Sequence, residues 1–298
     1  MRELWLLGLA LIGMGGLLFT GHLSSPFVFP TTVVLAPKQA IRYEVHTLPQ
    51  SVVHTLLIPA EGGFVVNPAL SSQLDTLENF IRKHRAIAAL NGGFFDPENH
   101  KSTSYLVLQG KPLADPRLNE RLMNNPALTL YLDKILNRTE FRRYLCEQAI
   151  RYDITLHTEP PPKGCQLADA LGGGPRLLPE ITLGSEGFWD DANGEVLRDP
   201  LSSRQPNART AVGITPDGSI VWVMVAQKPE APVGMSLPEL AKFMQALGVE
   251  KAMNLDGGSS SSFNYQGKTF YGKVDKGGNL VRRPVKSVLL VQETLENR

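Results

Sequence analysis

The chain has 298 residues, 20% of them charged and 42% hydrophobic, with a formal net charge of +1. That length suffices to bury a large core. A near-neutral balance without a basic stripe excludes the phosphate-neutralising surface that nucleic acid binding requires.

Arg2 precedes a nearly unbroken apolar run over residues 4–19. A positive start before an apolar core of this length reads as a signal peptide or short N-terminal anchor spanning residues 1–24. Export to the periplasm or the exterior is therefore expected, with membrane attachment through residues 4–19 if the segment is retained. Residues 25–40, rich in proline, valine and threonine, read as a linker. Residues 41–294 read as one α+β domain with a mixed, strand-rich sheet core and a few packed helices.

Within that domain, residues 41–48, 52–58 and 63–66 alternate in strand fashion, and 70–85 carry apolar residues at helical spacing. Residues 86–90 form a buried strand that ends in Asn91-Gly92-Gly93, and 105–109 form another. Residues 139–150 fit a short helix and 152–157 a strand. Residues 167–171 lead into Gly172-Gly173-Gly174-Pro175, and 179–201 show no clean period and read as an excursion. Residues 210–215 and 219–226 flank Pro216-Asp217-Gly218 as a hairpin. Ser236 and Glu239 have capping-box spacing, Met235 is placed to staple onto Leu240, Pro238 falls in the first turn, and Gly248 stops the helix. Residues 252–256 form a strand that delivers Asn254 and Asp256 to its end. A hairpin over 266–273 and a buried strand over 285–292 close the chain.

Asp256 is the leading candidate for chemistry, as a carboxylate at a strand end beside Gly257 and Gly258 and ahead of four serines. It suits water activation or stabilisation of a cationic transition state, and it equally suits capping the turn that follows. Arg209 suits a phosphate or carboxylate through its planar fork. Asn91 and Asn254 each stand at a strand end, placed to orient a hydroxyl or a neighbouring carboxylate. Ser259–Ser262 carry no G-x-S-x-G elbow. The six histidines have no metal-ligand spacing, and neither a P-loop nor a dinucleotide fingerprint occurs, so no metal and no cofactor are expected. Cys146 and Cys165 are read as a disulfide in an exported protein, against the alternative of two buried thiols.

Five stretches together resemble one family, the phosphodiester glycosidases. They are NGGFF at 91–95, LGGGPRLL at 171–178, ARTAVGITPDG at 208–218, GMSLPELAKFMQALGVEKAMNLDGGSSSSF at 234–263 and RPVKSVLLV at 283–291. The resemblance implies a site with Asp256, Arg209 and Asn254 in catalytic roles. It implies substrate contacts from Asn91, Gly92, Gly93, Gly173, Gly174, Thr210, Gly257, Gly258 and Ser259. The run Ser259–Ser262 varies from the family pattern. The implied reaction cleaves a sugar-1-phosphate diester, with N-acetylglucosamine among the candidate sugars, to free sugar and phosphomonoester. A phosphate at the anomeric oxygen is already a good leaving group, so such a site needs few carboxylates, an arginine, and glycine-loop amides on the phosphate. The same inventory also suits a non-catalytic cell-envelope module that binds polysaccharide. Convergence of Asp256 and Arg209 in one cleft separates the two readings.

Overall fold

β1 (Arg42–Thr47) and β2 (Ser51–Ile58) open the fold as an antiparallel pair, followed by the long β3 (Phe64–Asp75). The computed structural model describes residues 39–147 and 149–294, which fall within one compact unit. The apolar stretch 4–19 and nearly all of the linker 25–40 lie outside the described residues.

Helical spacing over 70–85 is only half realised. Strand β3 continues through Asp75, and α1 (Leu77–His84) starts behind Thr76, whose hydroxyl accepts from the Asn79 amide. β3 is an edge strand, so Pro68 costs no ladder bond on its open side and does not end it. β4 (Ala88–Asn91), β5 (Leu106–Leu108) and β6 (Lys111–Ala114) follow, then the short helices α2 (Glu120–Met123) and α3 (Leu132–Leu136).

The helix expected over 139–150 is instead a hairpin of β7 (Thr139–Cys146) and β8 (Ala149–Leu156). Glu140 and Arg142 are both buried there and bond to each other at 2.7 Å. Two inward-facing polar residues erase the alternation that would have marked the strand. β9 (Cys165–Gly172) pairs with β7, and Cys146 and Cys165, opposite each other in that ladder, form a disulfide. β10 (Arg176–Leu178) is short, and the 179–201 excursion contains a small hairpin of β11 (Asp190–Ala192) and β12 (Glu195–Arg198).

β13 (Arg209–Ile214) and β14 (Ile220–Gln227) form the expected hairpin. Helix α4 (Leu237–Ala246) carries both halves of its capping box, and Met235 and Leu240 share one apolar cluster. β15 (Lys251–Asn254), β16 (Ser262–Tyr265), β17 (Lys268–Tyr271) and β18 (Val285–Glu293) complete the chain.

The strands assemble as a six-stranded sheet, β1-β2-β14-β13-β15-β10, and two five-stranded sheets, β17-β16-β4-β18-β3 and β6-β5-β9-β7-β8. All of these pairings are antiparallel. Side-chain alternation assigns the faces. In β14, Trp222 and Met224 enter the core shared by the three sheets, whereas Val221, Val223 and Val225 face α4. In β18, Leu289 and Val291 join the shared core, whereas Val288 and Leu290 pack under α1 with Phe80. Burial on both faces explains why these strands read as unbroken apolar runs. Among the described residues no helix is long and apolar enough to cross a membrane.

Candidate active site

The chemistry-bearing ends of β4, β13 and β15 meet where two sheets abut, and Asn91 is the joint. Its Nδ2 donates to the Asp256 carbonyl at 2.6 Å. Its Oδ1 accepts from the Thr210 hydroxyl at 2.8 Å and from the Ser262 amide at 3.0 Å. Asn91 and Thr210 are fully buried, so Asn91 acts on backbone groups and Thr210 on Asn91, rather than on a ligand. The Asp256 amide in turn donates to the Gly92 carbonyl at 3.0 Å. Asp256 is thus fixed from both sides of its own peptide.

The glycine clusters are packing devices. A Cβ on Gly93 would stand 2.3 Å from the Gly172 carbonyl oxygen, and one on Gly92 would stand 2.8 Å from the carbonyl of Ser287 in β18. One on Gly173 would lie 2.9 Å from the Asn254 carbonyl. These are backbone-to-backbone approaches that only glycine permits. The amides of Gly92, Gly93, Gly173, Gly174 and Gly258 donate to Ser287, Ser287 Oγ, Thr139, Asn254 and Ala208 respectively. This corrects the expectation that glycine-loop amides stand open for a phosphate: those donors are spent inside the fold. Asn254 is buried, and its Nδ2 donates to the Gly174 carbonyl at 2.9 Å. It shapes the turn ahead of the cis Gly174–Pro175 bond.

Arg209 requires a second correction. Its Cα and Cδ lie beside Gly257, next to Asp256 in sequence, but the guanidinium turns away. Nε donates to the Met235 carbonyl at 3.0 Å and Nη1 to that of Leu201 at 2.9 Å. Nη2 donates to the Ser202 and Gln205 carbonyls, both at 2.8 Å. The side chain is 3% exposed, and burial draws its pKa down against the charge of Asp199. Arg209 clamps the loop ahead of β13 and does not present its fork to the cleft. Adjacent backbones bring Arg209 and Asp256 together, but their charged groups do not converge, so by the criterion drawn from the sequence this pair counts for the binding module, and a hydrolase reading needs another cation beside Asp256.

The arginine that acts on Asp256 is Arg283. Its Nη1 donates to Ser259 Oγ at 2.8 Å, and its guanidinium lies 5.0 Å from the centre of the Phe95 ring. Asp256 keeps partial contact with solvent among crowded neighbours. Burial pushes its pKa up to about 6, opposed by the Ser260 hydroxyl, the Arg283 charge and the Gly257 amide. A carboxylate poised near neutrality beside a cation is equipped to accept or donate a proton. Asp96, by contrast, accepts from the Glu98 amide and from Arg121 Nε, and acts as the turn residue before Pro97.

Arg283 opens the RPVKSVLLV stretch of the family resemblance, but the sequence reading gives it no role, because nothing local distinguishes it from the other arginines. The pairing of β18 with β4, Val288 opposite Asn91, is what carries it to the site. No described group of histidine, cysteine and carboxylate side chains has the arrangement to hold a metal ion. An open groove of about 1100 Å³ lies at the opposite ends of the same strands, around Ile58, Ile214 and Lys251. None of the residues around Asp256 lines it.

Residues 84–292 match the model of the phosphodiester glycosidase family, and the chain belongs to that family. No curated protein matches. Among solved structures, the catalytic domain of zebrafish N-acetylglucosamine-1-phosphodiester alpha-N-acetylglucosaminidase, auto-inhibited by its pro-peptide, is similar with a TM-score of 0.60 and 18% identity. That match covers 85% of this chain and 82% of the other. A hypothetical protein from Synechocystis gives 0.53 and 17%, covering 84% of this chain, which spans only 61% of that one. A protein of Burkholderia pseudomallei K96243 designated as exported gives 0.57 and 16%, covering 81% and 74%. At these identities the likeness is one of fold.

Proposed function

We infer that this member of the phosphodiester glycosidase family hydrolyses a glycosyl phosphodiester, releasing free sugar and a phosphomonoester. The observation that carries the reading is Asp256, held by Asn91 and Gly92 and raised toward neutrality beside Arg283. In the reaction the ionised carboxylate takes a proton from water as the water oxygen bonds to the anomeric carbon. The bond from that carbon to the phosphoryl oxygen breaks, and its electron pair leaves with the phosphate. Arg283, oriented by Ser259 and Phe95, binds the phosphate and stabilises the departing charge. No general acid is required, because a phosphomonoester leaves readily as an anion. Asn91, Thr210 and Asn254 act as positioning residues behind the carboxylate and the Gly173-Gly174 turn.

Export is part of this reading. The apolar sequence at residues 4–19, the Cys146–Cys165 disulfide and the designation of the Burkholderia neighbour all support an oxidising compartment outside the cytoplasm. The substrate is then a cell-envelope or extracellular glycan phosphodiester.

The test is release of sugar from N-acetylglucosamine-1-phosphodiester and a panel of other glycosyl phosphodiesters, with Asp256→Asn alongside. Wild type should release sugar and the variant should not. The kcat/KM should rise with pH through about 6 and then level, because the carboxylate acts ionised. A folded protein that releases nothing across the panel would favour a polysaccharide-binding module, and an active Asp256→Asn would remove Asp256 from the chemistry.

A further inference from the structure

Arg138, between α3 and β7, is a half-buried cation without an ion pair. Its guanidinium carbon lies 3.7 Å from the centre of the Phe188 ring and 5.8 Å from that of Phe94. Nε donates to the Glu186 carbonyl at 3.1 Å. The Glu186 carboxylate, whose charge favours the cation from nearby, is turned elsewhere. It accepts from the Thr139 amide and hydroxyl, the Arg176 amide and the Thr182 hydroxyl. Among the described residues no carboxylate stands within ion-pair distance of Arg138, and neither terminal nitrogen has a hydrogen-bond partner. Burial draws its pKa down, and the Arg198 charge adds to that.

A guanidinium partly withdrawn from water with no carboxylate in contact is costly, and a ring face and the nearby Glu186 charge offset only part of the cost. Stacking leaves the planar edge, with its parallel N–H donors, free to meet an oxyanion in bidentate fashion. The location adjoins the Asp256 site through two glycine turns. Phe94 follows Gly92-Gly93, whose Gly92 carbonyl receives the Asp256 amide. Phe188 lies 3.1 Å from where a Cβ on Gly174 would stand. Two arginines therefore rest on consecutive aromatic residues of one loop: Arg283 on Phe95 beside Asp256, and Arg138 on Phe94 beside the Gly174 turn. One phosphodiester charge occupies only the first.

We propose that Arg138 is a second anion-recognition residue of this cleft, and that the preferred substrate carries an oxyanion, carboxylate or phosphate, in addition to the phosphodiester that is cleaved. The proposal rests on the glycosidase reading for its substrate, but the anion site is testable by itself. Calorimetric titration of the full chain with malonate and with inorganic phosphate should show an anion site in wild type that Arg138→Met weakens at least tenfold. Arg283→Met separates the two sites, and the two probes separate carboxylate from phosphate. Arg138→Lys keeps the charge and loses the fork; it carries the test if Arg138→Met does not fold, and a loss of at least fivefold is expected.

In parallel, hydrolysis of an N-acetylglucosamine-1-phosphate methyl diester is compared with that of a diester whose aglycone bears a carboxylate or a second phosphate. Wild type should prefer a charged aglycone at least tenfold in kcat/KM, and the preference should collapse toward one in Arg138→Met. Equal affinity for both probes in wild type and both Arg138 variants would overturn the proposal, as would a wild-type enzyme indifferent to aglycone charge. A protein that binds anions through Arg138 yet hydrolyses no diester would overturn the glycosidase reading and leave the anion site standing.

Discussion

Asp256→Asn should stabilise the fold at neutral and higher pH while abolishing turnover. The carboxyl has an ordinary pKa of 3.8 in the unfolded chain and about 6 in the folded one, with burial as the main cause. The native state therefore holds this proton more tightly than the unfolded state does. Stability from this group is fully present below about pH 4 and is lost as pH rises through about 6. The full displacement corresponds to about 3 kcal/mol above pH 7. Asp256 keeps some contact with water, so about 1–2 kcal/mol is the figure to expect. Asparagine keeps an acceptor for the Ser260 hydroxyl and removes the charge. Urea unfolding at pH 7.5 should show the variant about 1–2 kcal/mol more stable, with the m-value unchanged. At pH 3.5 the two curves should coincide, because both side chains are then neutral. A variant that is less stable at pH 7.5, or displaced equally at both pH values, would refute the reasoning.

Three further outcomes are expected. Asn91→Ala leaves the buried Ser262 amide without its acceptor and removes two further hydrogen bonds, to Thr210 and Asp256. A loss of about 3–5 kcal/mol in urea unfolding is expected, and one below about 1 kcal/mol would show that Asn91 is not the joint described. Arg209→Met strips four donors from the carbonyls of Leu201, Ser202, Gln205 and Met235. Amide hydrogen exchange should rise selectively across residues 199–206, and unchanged protection there would contradict the clamp. Reduction of Cys146–Cys165, which spans 19 positions, should cost about 3 kcal/mol by loop-closure entropy. Measured well below the melting transition, sugar release should be unaffected by that reduction.

The parts of the fold that were legible in the sequence are those whose signal is local. Helix α4 announces itself through Ser236, Pro238 and Glu239 acting within one turn. The β13–β14 hairpin does so through Pro216-Asp217-Gly218 between two apolar runs. Where burial was satisfied by polar pairing or by a strand's place in the sheet, the pattern misled. Glu140 and Arg142 lie inside a strand because each neutralises the other, and a hydropathy pattern counts them as solvent-facing. Pro68 lies inside a strand because β3 is at a sheet edge, which is a property of the assembled sheet. The helix expected across 70–85 and the one expected across 139–150 each overlooked one of these conditions.

The two arginines divide the candidate site along the same line. Arg209 stands in a recognisable motif, three positions after Pro206 and at the head of a strand, and a free fork at that point would suit a phosphate. What decides its role is the chain from Leu201 to Gln205, which folds back over it and accepts three of its four hydrogen bonds, the fourth going to the Met235 carbonyl. Arg283 stands in an unremarkable Arg-Arg-Pro step. It reaches Asp256 only because β18 pairs with β4 in a register that sets Val288 against Asn91. Asn91, Thr210 and Asp256, grouped from sequence as strand-end residues, are joined by hydrogen bonds, whereas Asn254 at the neighbouring strand end bonds to the Gly174 carbonyl. The charge that faces the carboxylate could not be assigned that way, because guanidinium groups reach far and nothing local in the sequence says which arginine approaches. Only the pairing of strands selects among them. An electrostatic partner is therefore a statement about topology, and a motif can identify the carboxylate without identifying its cation.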